Sequence, residues 1–88
     1  MGEFIRVMIV SDYPVLSDGL RFTFSCTSDM AIVCEARTVA EIVRDFDYCH
    51  PDLAIVDLQL PMGEGVRAVR VLRNLSASIP TFRGRGLN

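Results

Sequence analysis

The chain has no Lys; all nine of its basic residues are Arg. That absence removes every function that needs a Lys amine, including Schiff-base chemistry and the lysine of a phosphate-binding loop. There is no Trp and only one His, His50. Three cysteines, Cys26, Cys34 and Cys49, are odd in number and show no C-x-x-C spacing, which argues against a disulfide framework or a zinc site. Each is expected to be a small buried hydrophobe in a reducing compartment. No apolar run approaches the roughly 18 residues of a membrane helix and no basic, apolar leader opens the chain, so a cytoplasmic protein without membrane contact is expected. At 88 residues with mean hydropathy +0.31, the length suits one domain and excludes a multidomain enzyme.

Charge is unevenly spread. Residues 1–64 hold all 11 acids and four of the Arg, whereas residues 65–88 hold five Arg and no acid. Five Arg without interleaved aromatics read as a solvated helix face and tail rather than a nucleic-acid surface.

Along the chain, strand and helix patterns alternate. Phe4–Val10 is a nearly continuous apolar run closed by Ser11-Asp12-Tyr13-Pro14, which gives a strand and then a helix started by Pro14. Val15, Leu16, Leu20, Phe22, Phe24 and Cys26 supply that helix's apolar side. Met30–Cys34 is a second strand. Thr38 and Glu41 have capping-box spacing for a second helix, with Val39, Ile42, Val43 and Phe46 as its buried stripe. Leu53–Val56 is apolar throughout, as a central parallel strand is. A loop from Asp57 to Gly65 precedes a third helix marked by Val66, Val69, Leu72 and Leu75, with Arg67, Arg70 and Arg73 on its outer side. Ile79-Pro80-Thr81 can open a fourth strand. Phe4, Phe22, Phe24 and Phe46 are expected in the core, and His50 is expected to end the second helix at the surface. The fold class is α/β: a flavodoxin-like three-layer parallel sheet, incomplete, with strand order 2-1-3 and a possible short fourth strand. Residues 4–81 form the domain and 82–88 a flexible tail.

In such a sheet the carboxyl ends of the strands share one rim, where ligands bind. Asp12 lies two residues beyond the first strand and Asp57 immediately beyond the third, so adjacent strands aim two carboxylates at one cleft. That pairing suits a hard cation such as Mg²⁺, held by few carboxylates, a carbonyl and waters. Either Asp alone is an ordinary strand-end residue; the joint placement is what points to chemistry.

The stretches Val7-Met8-Ile9-Val10-Ser11-Asp12-Tyr13-Pro14, Leu16 with Asp18-Gly19-Leu20, and Pro51-Asp52-Leu53-Ala54-Ile55-Val56-Asp57-Leu58-Gln59-Leu60-Pro61 resemble the receiver domains of two-component response regulators. The form of the first helix is similar to receivers attached to LuxR-type DNA-binding regulators. The resemblance implies that Asp57 accepts a phosphoryl group from a histidine kinase, that Asp12, Asp57 and the main-chain carbonyl of Gln59 hold Mg²⁺, and that the chain is not an enzyme on a separate substrate. DNA would be reached only through an effector domain absent from this chain. Three positions depart from the family. Ser11 stands where an acid is usual, Thr81 starts the possible fourth strand instead of a Ser/Thr ending it, and no Lys is available for the phosphoryl group.

Three βα units leave the third strand's edge bare, to be covered by residues 79–82 as a short strand, by another chain's edge or by exchange of elements, and a homodimer or domain-swapped oligomer through that edge is expected. The alternative to a phosphoacceptor is a pseudo-receiver that serves only association. A nucleotide- or flavin-binding reading lacks the glycines needed after the first strand, and a haloacid-dehalogenase-like phosphatase needs an acid where Gln59 stands.

Overall fold

The computed structural model describes residues 4–26, 29–75 and, along the backbone, 81–83. β1 (Ile5–Val10) lies between β2 (Met30–Ala36) and β3 (Leu53–Val56), and β3 pairs on its far side with β4 (Thr81–Arg83); all pairings are parallel. The order is β2-β1-β3-β4. The expected 2-1-3 core is therefore present, and the possible fourth strand is real.

Two expectations are corrected by β4. The far edge of β3 is not bare: Ala54, Ile55 and Val56 pair with Thr81, Phe82 and Arg83, so self-association through that edge loses its basis. Phe82 and Arg83 also belong to the sheet rather than to a tail. Ile79, Pro80 and residues 84–88 lie outside the described residues.

Alternation along β1 divides the core between two faces. Met8 and Val10 point with Ala54 and Val56 toward α2 (Val39–Cys49) and α3 (Glu64–Leu75), where Ile42, Ala68, Val69 and Leu72 close the larger cluster. Val7, Ile9 and Leu53 face α1 (Pro14–Ser25), against Leu20 and Phe24. A register shift between Val7 and Met8 leaves Val33 as an extra residue in β2.

Helix phase differs from the sequence pattern in places. Phe22 is 73% exposed because it sits two residues, about 200° of helix, from the inward Leu20. Phe4 is also exposed, whereas Phe24 and Phe46 pack on the core. On α2 the inward row is Val39, Ile42, Phe46 and Cys49, leaving Val43 in solvent; on α3 it is Gly65, Ala68, Val69 and Leu72, leaving Val66 and Leu75 at the surface.

The capping box forms with its return bond shifted by one residue. Thr38 Oγ1 accepts the Glu41 amide at 3.2 Å, and Glu41 Oε1 accepts the Arg37 amide at 2.8 Å, one residue before the cap. His50 ends α2 in the left-handed conformation, at φ 50°. All three cysteines are free, but Cys26 is exposed at the end of α1, contrary to expectation. Cys34 and Cys49 sit together under β2 and α2, where burial and the Cys49 thiol push the Cys34 thiol up, away from the reactive thiolate.

Candidate functional site

The carboxyl rim is built by the β1–β3 pairing. Val10 is in register with Val56, and the Asp57 amide continues the ladder to the Val10 carbonyl at 2.9 Å. The chain leaves β3 at Asp57, whose side chain is 1% exposed. Its carboxylate is held from two directions: Oδ1 accepts the Gln59 amide at 2.8 Å, and Oδ2 accepts the Ser11 hydroxyl at 3.4 Å. The first of these is an Asx-type closure of the loop, reinforced by the Leu60 amide on the Asp57 carbonyl at 3.3 Å.

Asp12 is exposed one residue beyond Ser11. It lines a cleft of about 100 Å³ together with Ser11, Asp18, Glu35 and Arg37. Asp57 does not line that cleft. Of the expected residues, the structure thus joins Asp57 to the Gln59 backbone and to Ser11, and places Asp12 on the open side of the same rim. Among the described residues no three His, Cys, Asp or Glu side chains form a metal cluster. Two carboxylates and a main-chain carbonyl are nonetheless hard oxygen donors of the kind Mg²⁺ takes with several waters.

The loop's shape depends on residues beyond the acids. Pro61–Gly63 forms a 3₁₀ turn in which Met62 and Gly63 both take positive φ, 61° and 72°. α3 then begins at Glu64, two residues earlier than its apolar pattern indicates. Glu64 reaches back to the start of α2, where its Oε1 accepts the Val39 amide at 2.8 Å while its other oxygen pairs with Arg67. This second cap on α2 spans 25 residues, and local spacing offers no signal for it. The Val39 amide and the Arg67 guanidinium hold the Glu64 carboxyl below its ordinary range. Because the folded-state pKa is lowered, the stabilisation is present above the unfolded value and is lost as pH falls through the folded one. Glu64→Gln should therefore lower thermal stability at neutral pH and flatten its decline below about pH 4, as read by melts across that range; an unchanged acid limb would contradict the role.

The response regulator receiver domain family matches residues 7–82. The chain belongs to that family. This receiver is 35% identical over 66 residues to the uncharacterized transcriptional regulatory protein YhcZ of Bacillus subtilis, covering 75% of the chain and 31% of the relative. It is 30% identical over 79 residues to the DNA-binding transcriptional activator DevR/DosR of Mycobacterium tuberculosis, covering 90% and 35%. The crystal structure of a LuxR-family two-component response regulator from Aurantimonas sp. SI85-9A1 superposes with TM-score 0.77 at 29% identity, over 90% of this chain and 56% of that one. The receiver therefore spans about a third of the length of these curated relatives. Other relatives are named protein-glutamate methylesterases, so related receivers also occur in chains named for enzymes. Among the described residues no helix is long and apolar enough to cross a membrane.

Within the family's pattern, Thr81 pairs with Ala54 at the amino end of β4, while Arg83 is the residue level with Val56 at the rim. Thr81 is thus remote from the position where receivers carry their Ser/Thr.

Proposed function

We propose that this receiver is a phosphoacceptor in which Asp57 takes a phosphoryl group from the phosphohistidine of a sensor histidine kinase. The observation that carries the reading is Asp57 itself: a buried carboxylate at the end of β3, level with the end of β1, its two oxygens held by the Gln59 amide and the Ser11 hydroxyl. An Asp57 oxygen attacks phosphorus, the P–N bond breaks, and the imidazole leaves with its electron pair; an acyl phosphate forms. Asp12, Asp57 and the Gln59 carbonyl are the residues that would hold Mg²⁺. When bound, Mg²⁺ offsets repulsion between the carboxylate and the phosphoryl oxygens. The protein's own part is to fix the nucleophile in place and keep bulk water from it. The relatives named as transcriptional regulators support an output in transcription, through a portion outside the receiver residues.

A second reading, an association-only pseudo-receiver in which Asp57 accepts nothing, is favoured by Ser11 at the acidic position. Intact-protein mass after incubation with Mg²⁺ and acetyl phosphate separates the two. A phosphoryl adduct in the native chain and none in Asp57→Asn is expected; no adduct in a folded sample, or one that survives Asp57→Asn, overturns the phosphoacceptor reading.

A further inference from the structure

Ser11 is 5% exposed and follows β1 directly, so it stands beside Asp57 as Val10 stands beside Val56. Its amide donates to the Ala36 carbonyl at 2.9 Å, which ties the position to β2. Its hydroxyl oxygen accepts the Tyr13 amide at 3.0 Å and donates its proton toward Asp57 Oδ2 at 3.4 Å. The direction of the second bond follows from the partner: an ionised carboxylate only accepts, so the single hydroxyl proton lies toward Asp57 while a lone pair takes the Tyr13 N–H.

We propose that Ser11 is a positioning residue, which sets the orientation of the Asp57 carboxylate while adding no charge of its own beside it. This rests on the phosphoacceptor reading of Asp57 for its consequence in phosphoryl transfer, but not for its geometry. Asp57 is held by its own loop at Oδ1 and, over a longer contact, by the residue that follows β1 at Oδ2, so the two oxygens have partners on different segments. An acid at position 11 would accept the Tyr13 amide equally well but has no proton for Asp57 when ionised. It would also add a further negative charge directly beside Asp57. Ser11 therefore exchanges cation affinity for a hydrogen bond to the nucleophile and for less repulsion toward an incoming phosphoryl group.

The test uses the full chain with Ser11→Ala, Ser11→Thr and Ser11→Asp, each first shown to be folded by thermal melt. Three quantities are read: the ¹³C carboxyl resonance of Asp57, assigned by its loss in Asp57→Asn; Mg²⁺ affinity by calorimetric titration; and the rate of phosphoryl uptake from acetyl phosphate. Ser11→Ala should move the Asp57 resonance and slow uptake by about threefold to tenfold, and Ser11→Thr should restore both. Ser11→Asp should tighten Mg²⁺ binding by about tenfold or more; if it does not fold, Ser11→Glu replaces it for this reading. An Asp57 resonance indifferent to the hydroxyl overturns the positioning role, and unchanged Mg²⁺ affinity in the acidic variant overturns the charge role. If the native chain takes up no phosphoryl group while the resonance still follows the hydroxyl, the phosphoacceptor reading fails and the assignment of Ser11 stands.

Discussion

Gly65→Ala should destabilise this receiver by about 3 kcal/mol, against the usual direction of such a change in a helix. Within a helix, replacing Gly by Ala ordinarily stabilises by about 0.5–1 kcal/mol, since the unfolded chain loses freedom and no contact suffers. At position 65 a Cβ would stand 2.5 Å from the Asp57 carbonyl oxygen and 2.7 Å from the Leu58 Cα. Both are backbone atoms, and neither can rotate away. Either α3 or the loop after β3 must shift, and α3 is tied at its first turn by Glu64 on the Val39 amide. The displacement therefore falls on the segment that carries Asp57, and phosphoryl uptake should fall with stability. Gly19→Ala is the matched control: it lies within α1 with nothing within 4 Å of a built Cβ, and should be neutral or slightly stabilising. Denaturant midpoints for the two variants check the contrast, and a Gly65→Ala protein as stable as the native chain would remove the close approach from the account.

The features that could be read in the sequence are those set by local period or by a fixed spacing. β3 was legible because four apolar residues follow His50-Pro51-Asp52, and its central place follows from an apolar character on both faces. Thr38 and Glu41 announce α2 because both bonds of a capping box lie within one turn. Asp57 was legible as a strand-end acid. What escaped depends on which elements meet. Val43 and Val66 lie next to inward positions on their helices and Phe22 lies across α1 from Leu20 and Phe24, and hydrophobicity alone does not choose a face until a sheet fixes the phase. Gly65, read as part of a loop, is instead the first-turn residue that lets α3 touch the Asp57–Leu58 backbone. Ser11 was recognised as a departure from an acidic pair, but its bond to Asp57 required the register of β1 against β3. Short-range pattern thus picks out Asp57, while apart from the Gln59 amide two residues on, the contacts around it come from Ser11, 46 positions away, and from Gly65, 8 positions away.

Arg6→Met should cost about 2–3 kcal/mol, although the residue is one of nine Arg and lies at the opposite end of β1 from the acidic rim. Its Nη2 and Nε donate to the Cys49 carbonyl at 2.6 and 2.8 Å, and Nε also reaches the His50 carbonyl at 3.1 Å. These are carbonyls at the end of α2, where helical partners run out and the partial negative charge of the helix collects. The Arg6 backbone is engaged as well: its amide donates to Asp52 Oδ2 at 2.9 Å, and its carbonyl accepts the Asp52 amide at 2.7 Å. One residue thereby joins the start of β1, the end of α2 and the entry to β3. Met loses both the charge-assisted bonds and the guanidinium over the Phe4 ring, whose centroid lies 5.9 Å from the guanidinium carbon. Arg6→Lys should recover only part of the loss, because a single ammonium cannot reproduce the planar fork across two carbonyls. Urea unfolding of the three proteins should place Lys between Arg and Met, with phosphoryl uptake under native conditions nearly unchanged in both variants. Equal stability of Met and Arg would show that the α2 carbonyls are satisfied without this side chain, whereas a selective loss of uptake at unchanged stability would connect the amino end of β1 to the chemistry at its other end.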